Sequence, residues 1–261
     1  MMQRWLMLSL LVILVSQTTF SQQTKTKKDR FPSYFGLTAA PVFGSDFIGS
    51  KSTSFQDTAL LSTTKFTQKT GFTFGASVRI GVTKLISIET GLYQLRRNFD
   101  VSMSYPDSSV YGTKRLSFVN YDIPINALFY VQLANRWYMN AALGFSIVHY
   151  PSDVRDSILP GGKYLLQMEG RRVERTHFAS GASIGFEFRT KKAGTFYFGG
   201  SAKIPFRPIF LGVGFVKKSG SSNDLISVGR VNGSYFTLEA RYYLPTRKTK
   251  GEQFKPGPVE Q

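Results

Sequence analysis

Between Gly71 and Thr83 the chain reads GFTFGASVRIGVT, and its residues sort by parity into two faces. Phe72, Phe74, Ala76, Val78, Ile80 and Val82 are apolar, whereas Thr73, Gly75, Ser77, Arg79, Gly81 and Thr83 are small or polar. A period of two over this length predicts a strand with one apolar and one polar face. The pattern recurs over residues 34–43, 86–99, 118–131 and 137–147, and again over 177–189, 196–204 and 235–244. Eight antiparallel strands are therefore expected, with no segment of helical period between them.

The expected connections alternate in length. Only a few residues, around Lys84, Ala134–Asn135 and Lys191–Lys192, separate three of the strand pairs, and the other four connections are long. Short turns at one end and long loops at the other are the mark of an up-and-down transmembrane β-barrel, with the short turns periplasmic and the long hairpins extracellular. Turn-forming residues lie near the midpoints of three long connections, at Pro106–Ser109, Pro160–Gly162 and Ser219–Asn223. These connections are expected to be hairpins that continue past the membrane. Folding about Ser221 sets Ile209–Val216 beside residues 226–233. The alternative makes Ile209–Val216 a further spanning strand, for ten in all, but Pro205 and Pro208 favour a bulge there.

Which face meets lipid is the next question. A soluble, lipocalin-like barrel would point its apolar face inward around a ligand. Here the polar face carries glycine, serine and opposed charges, which suits a narrow interior. Aromatic residues also collect near both strand ends. Phe35, Phe129, Trp137, Phe188, Phe196 and Tyr242 fall near the short turns, and Phe43, Phe72, Tyr121, Phe178 and Phe236 near the long loops. Paired aromatic girdles belong to outer-membrane barrels. The barrel is expected over residues 33–245.

Composition narrows the choice further. The chain has no cysteine, which excludes disulfides, thiol catalysis and thiolate metal sites. Arg4, the apolar run Trp5–Val15 and the small residues Thr19 and Ser21 form a secretory signal pattern, so residues 1–21 are expected to be removed on export to a Gram-negative outer membrane. Read as an anchor helix, the run is short of the ~18 apolar residues such a helix needs. The formal net charge of +17 raises the question of nucleic acid. Export and the scatter of the cations among strands argue against it, and no zinc-finger spacing or P-loop occurs. Instead, cations gather at the periplasmic end: Lys25, Lys27, Lys28 and Arg30 in segment 22–32, Arg247, Lys248, Lys250 and Lys255 in the tail 246–261, and Lys84, Arg136, Lys191 and Lys192 at the turns. That face is expected to attract anionic lipid, peptidoglycan or an acidic periplasmic protein.

The alternating stretch at 71–83, Ile88-Glu89-Thr90-Gly91-Leu92, Tyr121-Asp122-Ile123-Pro124 and the closing segment Tyr235–Leu244 together resemble the PorT-like outer-membrane β-barrel proteins of Bacteroidota-type bacteria. The resemblance covers nearly the whole mature chain. It implies an eight-stranded barrel and, for one branch of the family, a role in type IX protein secretion. The chain departs from the usual outer-membrane ending, an aromatic of the last strand, because Pro245–Gln261 follow it.

The polar parity brings Arg79, Arg189, Lys203 and Arg241 inward with Glu89, Asp122, Glu187 and Glu239. Folding about Lys84 sets Arg79 opposite Glu89, and folding about Ser221 sets Lys203 opposite Glu239. A paired charge network plugging the lumen is expected, since eight strands leave room only for side chains or one small ligand. A proton or solute path is the functional alternative. Lipid-A-modifying chemistry would need a histidine with serine and acid. His149 lies on the apolar parity near Ser146, Ser152 and Asp153, and His177 on the polar parity near Ser180. Both read more simply as rim and lumen-mouth residues. No metal-ligand spacing occurs, Asp153 and Asp156 reading as a solvated loop. The expectation is a monomeric, non-enzymatic barrel without cofactor: a structural or accessory envelope component, with surface binding through the hairpins as the alternative.

Overall fold

The computed structural model describes residues 33–245 apart from 60, 84, 106–109, 161–162, 191 and 219–223. The expected signal segment, both basic tails, Lys84, Lys191 and the three expected hairpin tips thus lie outside the described residues, wholly or in part. Among the described residues thirteen strands form, where the alternation predicts eight. They are β1 (Tyr34–Gly44), β2 (Ser52–Gln56), β3 (Thr63–Gly81), β4 (Ile86–Tyr105), β5 (Val110–Ala134), β6 (Trp137–His149), β7 (Val154–Ile158), β8 (Tyr164–Arg172), β9 (Thr176–Arg189), β10 (Thr195–Pro205), β11 (Phe210–Lys218), β12 (Leu225–Val231) and β13 (Tyr235–Tyr243).

All the pairings are antiparallel. The larger sheet runs β1-β13-β10-β9-β6-β5-β4-β3-β2, and β1 also pairs with β3. Since β1 is hydrogen-bonded to β13 on one side and β3 on the other, the pairings return on themselves and leave no free edge along β1. The additional strands all lie in the long connections. β2 lengthens the sheet beside the upper part of β3, and β12-β11-β8-β7 make a second sheet. The hairpin expected about Ser221 is present, but its register is shifted by one residue: Val216 faces Leu225 rather than Ile226, and Phe210 faces Val231. β11 belongs to the second sheet, so Ile209–Val216 is not a further strand of the larger one.

Polarity reverses along the longest strands. On β4 the outward residues pass from Ile88 and Leu92 to Arg96, Asn98 and Asp100, while the inward ones pass from Ser87 and Glu89 to Leu95, Phe99 and Val101. On β5 the outward change falls between Tyr121 and Arg115, and the inward one between Asp122 and Phe118. A β-bulge accomplishes the change on β3, where the register shifts between Lys69 and Phe72. The extra residue flips the parity, so Phe72 and Phe74 face out while Phe66 above them is buried.

Above that level the two sheets pack face to face as a head. Its core holds Phe66, Phe99, Val101, Met103, Leu116, Phe118, Leu166, Met168, Phe210 and Val216. Phe118 stacks on Phe210 with centroids 4.1 Å apart, and Phe99 meets both rings edge-on. Asp57 bridges to Ser227 at one margin, and Lys114 reaches Asp156 at the other. This core covers the apolar face of β11.

Candidate functional site

Below the head, the inward side chains of the sheet form one alternating series of charges. Arg189 donates to Glu187 at 2.9 Å, and Arg79 also bonds Glu187. The Nε of Arg79 donates to Glu89 at 2.9 Å. Arg241 bonds Glu89 in turn and donates through Nε to Glu239 at 2.8 Å. The order is Arg189–Glu187–Arg79–Glu89–Arg241–Glu239, three cations alternating with three anions. Glu89 and Glu187 are 0 % exposed, and Arg79 and Arg189 are 1 %. Charges this deep persist only when paired and hydrogen-bonded.

Local backbone geometry makes the series possible. Strand period two places Glu187 and Arg189 on one face of β9, and Glu239 and Arg241 on one face of β13. The tight β3–β4 turn sets Arg79 directly opposite Glu89, as the fold about Lys84 requires. β3 and β9 are not neighbours in the sheet, so the bond from Arg79 to Glu187 crosses the interior.

Neutral groups complete the shell. The Tyr243 hydroxyl donates to Glu89 at 2.7 Å and Asn140 donates to Glu187 at 2.7 Å, while Ser201 and Thr237 donate to Glu239 at 2.7 and 2.8 Å. Arg189 lies over the ring of Tyr138 at 3.8 Å and Arg79 over Tyr243 at 4.1 Å. Parity alone marks these tyrosines as inward, but sequence reasoning assigned inward roles mainly to charges and missed them.

One expected pair is corrected. Lys203 does not stand opposite Glu239. Lys203 opposes Tyr235, Glu239 opposes Gly199, and the lysine bonds Asp122 on β5. The two arms of the excursion are unequal, since residues 204–209 separate Lys203 from Phe210 whereas only 232–234 separate Val231 from Tyr235. The surplus is taken up around Pro205 and Pro208, so the register of β11–β12 does not continue into β10–β13. A cavity of about 60 Å³ lies between Lys203, Asp122, Glu239 and Arg241, and is closed in part by Tyr93 and Tyr235.

The outer face is the opposite of the inner one. Trp137, Phe188, Phe196 and Tyr242 occupy one row across four strands, with Trp137 and Phe188 centroids 4.9 Å apart and Phe196 and Tyr242 5.2 Å apart. Phe35 and Phe129 are nearly half exposed at the same end, opposite Val78 and Ile86.

The histidines stand apart from any serine–acid pair. His149 faces outward with Nδ1 3.3 Å from the Thr176 hydroxyl. His177 is buried edge-on against Tyr150, with Nε2 2.9 Å from the Glu174 carbonyl oxygen. Among the described residues no group of His, Asp and Glu could hold a metal ion.

No family model matches the chain, and no curated protein does. Among solved structures, the outer membrane protein OprG from Pseudomonas aeruginosa is similar with a TM-score of 0.49 and 10 % identity, over 85 % of this chain and all of that one.

Proposed function

We propose that β1, β3, β4, β5, β6, β9, β10 and β13 form an eight-stranded transmembrane barrel of a Gram-negative outer membrane. Its lumen is plugged by its own charges, and its long hairpins are joined into an extracellular head. The observation that carries this reading is the outer surface. Every one of the eight strands turns a large apolar side chain outward that is more than half exposed: Leu37, Phe74, Leu92, Ile125, Leu143, Ile184, Phe198 and Leu238. A continuous apolar surface of this extent is foreign to a water-soluble monomer. The lipocalin-like alternative would need an apolar interior, but the interior holds the Arg–Glu series. The reversal of polarity near Phe72, Gln94 and Tyr121 marks the outer water boundary. The ~9–11 residues that a tilted spanning strand needs match Phe72–Ile80 and Ile123–Leu133.

The protein acts without catalysis as a structural or accessory component of the envelope. Assistance to type IX secretion rests on the PorT-like resemblance alone. Surface binding is the second reading, supported by the packed core that makes one solid body of the head. Outer-membrane lipid surrounds a monomeric barrel, and the basic periplasmic end is suited by its charge to peptidoglycan or an acidic protein.

Trp137 tests the membrane reading directly, because the other tryptophan, Trp5, lies in the expected signal segment. In vesicles its emission should be blue-shifted and quenched by lipids brominated near the headgroup. Equal access to aqueous acrylamide with and without lipid refutes the assignment. A deletion strain assayed for secreted proteins, surface attachment and lipid-A mass separates the roles.

A further inference from the structure

Between the charge series and the apolar head lies a layer of buried polar side chains with unused hydrogen-bonding atoms. Gln68, Arg97, Asn120, Asp122 and His177 are each no more than 4 % exposed. The strand registers set them at neighbouring levels. Asn120 opposes Leu95, Arg97 opposes Phe118, Gln68 opposes Phe99, and Val148 opposes both Asp122 and His177. Both amide atoms of Gln68 and of Asn120 lack hydrogen-bond partners, as do Oδ1 of Asp122, Nδ1 of His177, and Nε and Nη1 of Arg97. A native interior leaves few such groups, and each calls for an explanation.

Arg97 sets the character of the layer. Its Nη2 bonds the Gly233 carbonyl, and its guanidinium lies 4.5 Å over the Tyr235 ring. Unlike Arg79, Arg189 and Arg241, it forms no ion pair with any described carboxylate. Asp122, the acid of this layer, is bound by Lys203. Arg97 and Lys203 against Asp122 leave one positive charge in excess. Water can satisfy the idle amides, but it leaves a desolvated cation uncompensated.

We propose that Arg97, with the Gln68 and Asn120 amides, forms a site for one small monovalent inorganic anion of halide size. Nε and Nη1 are free to donate to it, and the amide nitrogens supply neutral donors. Gly233 lets the guanidinium pack close against the backbone, since a Cβ there would lie 2.6 Å from Nη1 and 2.4 Å from Ile209. Close packing also favours a small ion: the nearby cavity of about 60 Å³ reaches Tyr235 and Asp122 but none of Arg97, Gln68 and Asn120. The site lies inside the protein and does not depend on the membrane reading.

Bromide is the probe. Crystals of the mature chain grown with sodium bromide should show an anomalous peak within about 3.5 Å of Arg97 Nε or Nη1. At fixed ionic strength, replacing sodium gluconate by sodium bromide should raise the unfolding temperature of the wild type saturably. Arg97→Met should lose that dependence, whereas the outward neighbour variant Arg96→Met should keep it. Should Arg97→Met not fold, Asn120→Ser should move the bromide midpoint upward by about tenfold, the loss expected from one polar partner. Water alone beside Arg97, a wild-type unfolding temperature indifferent to bromide, or an unchanged midpoint in Asn120→Ser overturns the proposal.

Discussion

Glu89 is the acceptor on which the interior charge series turns, and Glu89→Gln is its most direct test. The carboxylate takes the Nε of Arg79 at 2.9 Å, the Nη2 of Arg79 at 2.9 Å, the Tyr243 hydroxyl at 2.7 Å and Nη1 of Arg241. An amide of the same shape removes the charge and turns an NH2 donor toward donors. Hydrogen bonds to a charged group contribute about 1.5–3 kcal/mol each, so counting the hydroxyl and one bond from each arginine would give at most about 9 kcal/mol. The true loss is smaller, because Arg79 keeps Glu187 and Arg241 keeps Glu239. The expected destabilisation is that of breaking a buried pair, about 3–5 kcal/mol. Asp100→Asn supplies the control, since Asp100 pairs with the exposed Arg115 on the outer face of the head and an exposed pair contributes about 0–1 kcal/mol. Urea unfolding of refolded protein in detergent micelles, followed by Trp137 emission and circular dichroism, measures both. A Glu89→Gln loss no larger than the control's would show that water fills the interior, and would refute the dry network.

Phe118→Ala, which removes the ring stacked on Phe210, should cost about 3–5 kcal/mol. The loss should fall on the head, read as faster proteolysis of the hairpins with amide exchange in β9 and β10 unchanged. In planar bilayers the protein should give no steady conductance, because the Arg79–Glu187 bond crosses the lumen and the apolar core sits above it. A stable open channel refutes the plug. In the head, burial pushes the Glu169 carboxyl up, but hydrogen bonds from Arg171 and Arg155 outweigh it and hold the group below its ordinary range. Its contribution is therefore present above the ordinary glutamate value and lost as pH falls through the folded-state value. Thermal unfolding should show an acid-side drop that shrinks in Glu169→Gln, and an unchanged drop would assign the effect elsewhere.

Strand parity made much of the interior legible in advance. Arg79, Glu89, Glu187, Arg189, Glu239 and Arg241 lie on the inward faces that alternation assigned, and the short turn fixed the Arg79–Glu89 pair. What escaped has a physical cause. The alternation of 71–83 stops at the bulge near Gly71, so Phe66 changes face without a change in its own chemistry. The strand from Ile86 is expected to end near Phe99, yet β4 runs on to Tyr105 and its inward face continues through Val101 and Met103 with reversed polarity. Arg97 sits at that reversal, where neither an apolar nor a polar rule identifies a face. The partner of Lys203 was missed because the arms of the excursion between β10 and β13 differ in length, a matter of loop conformation that parity does not encode.

The crossing bond from Arg79 to Glu187 also acts as a checkpoint on assembly. The six charges of the series come from β3, β4, β9 and β13, and the hydroxyl that seals Glu89 comes from Tyr243 on β13. While the sheet is still open, β13 is remote from β4, and Arg241 has no route to Glu89. Only when β1 joins β13 to β3 does Glu89 meet a cation on both sides. A two-residue slip of β4 keeps its faces correct but moves Glu89 off Arg79, so the error leaves an unpaired charge buried in the interior rather than a tolerable misfit. The interior thus proofreads its own closure, rejecting registers that the uniform apolar exterior would accept.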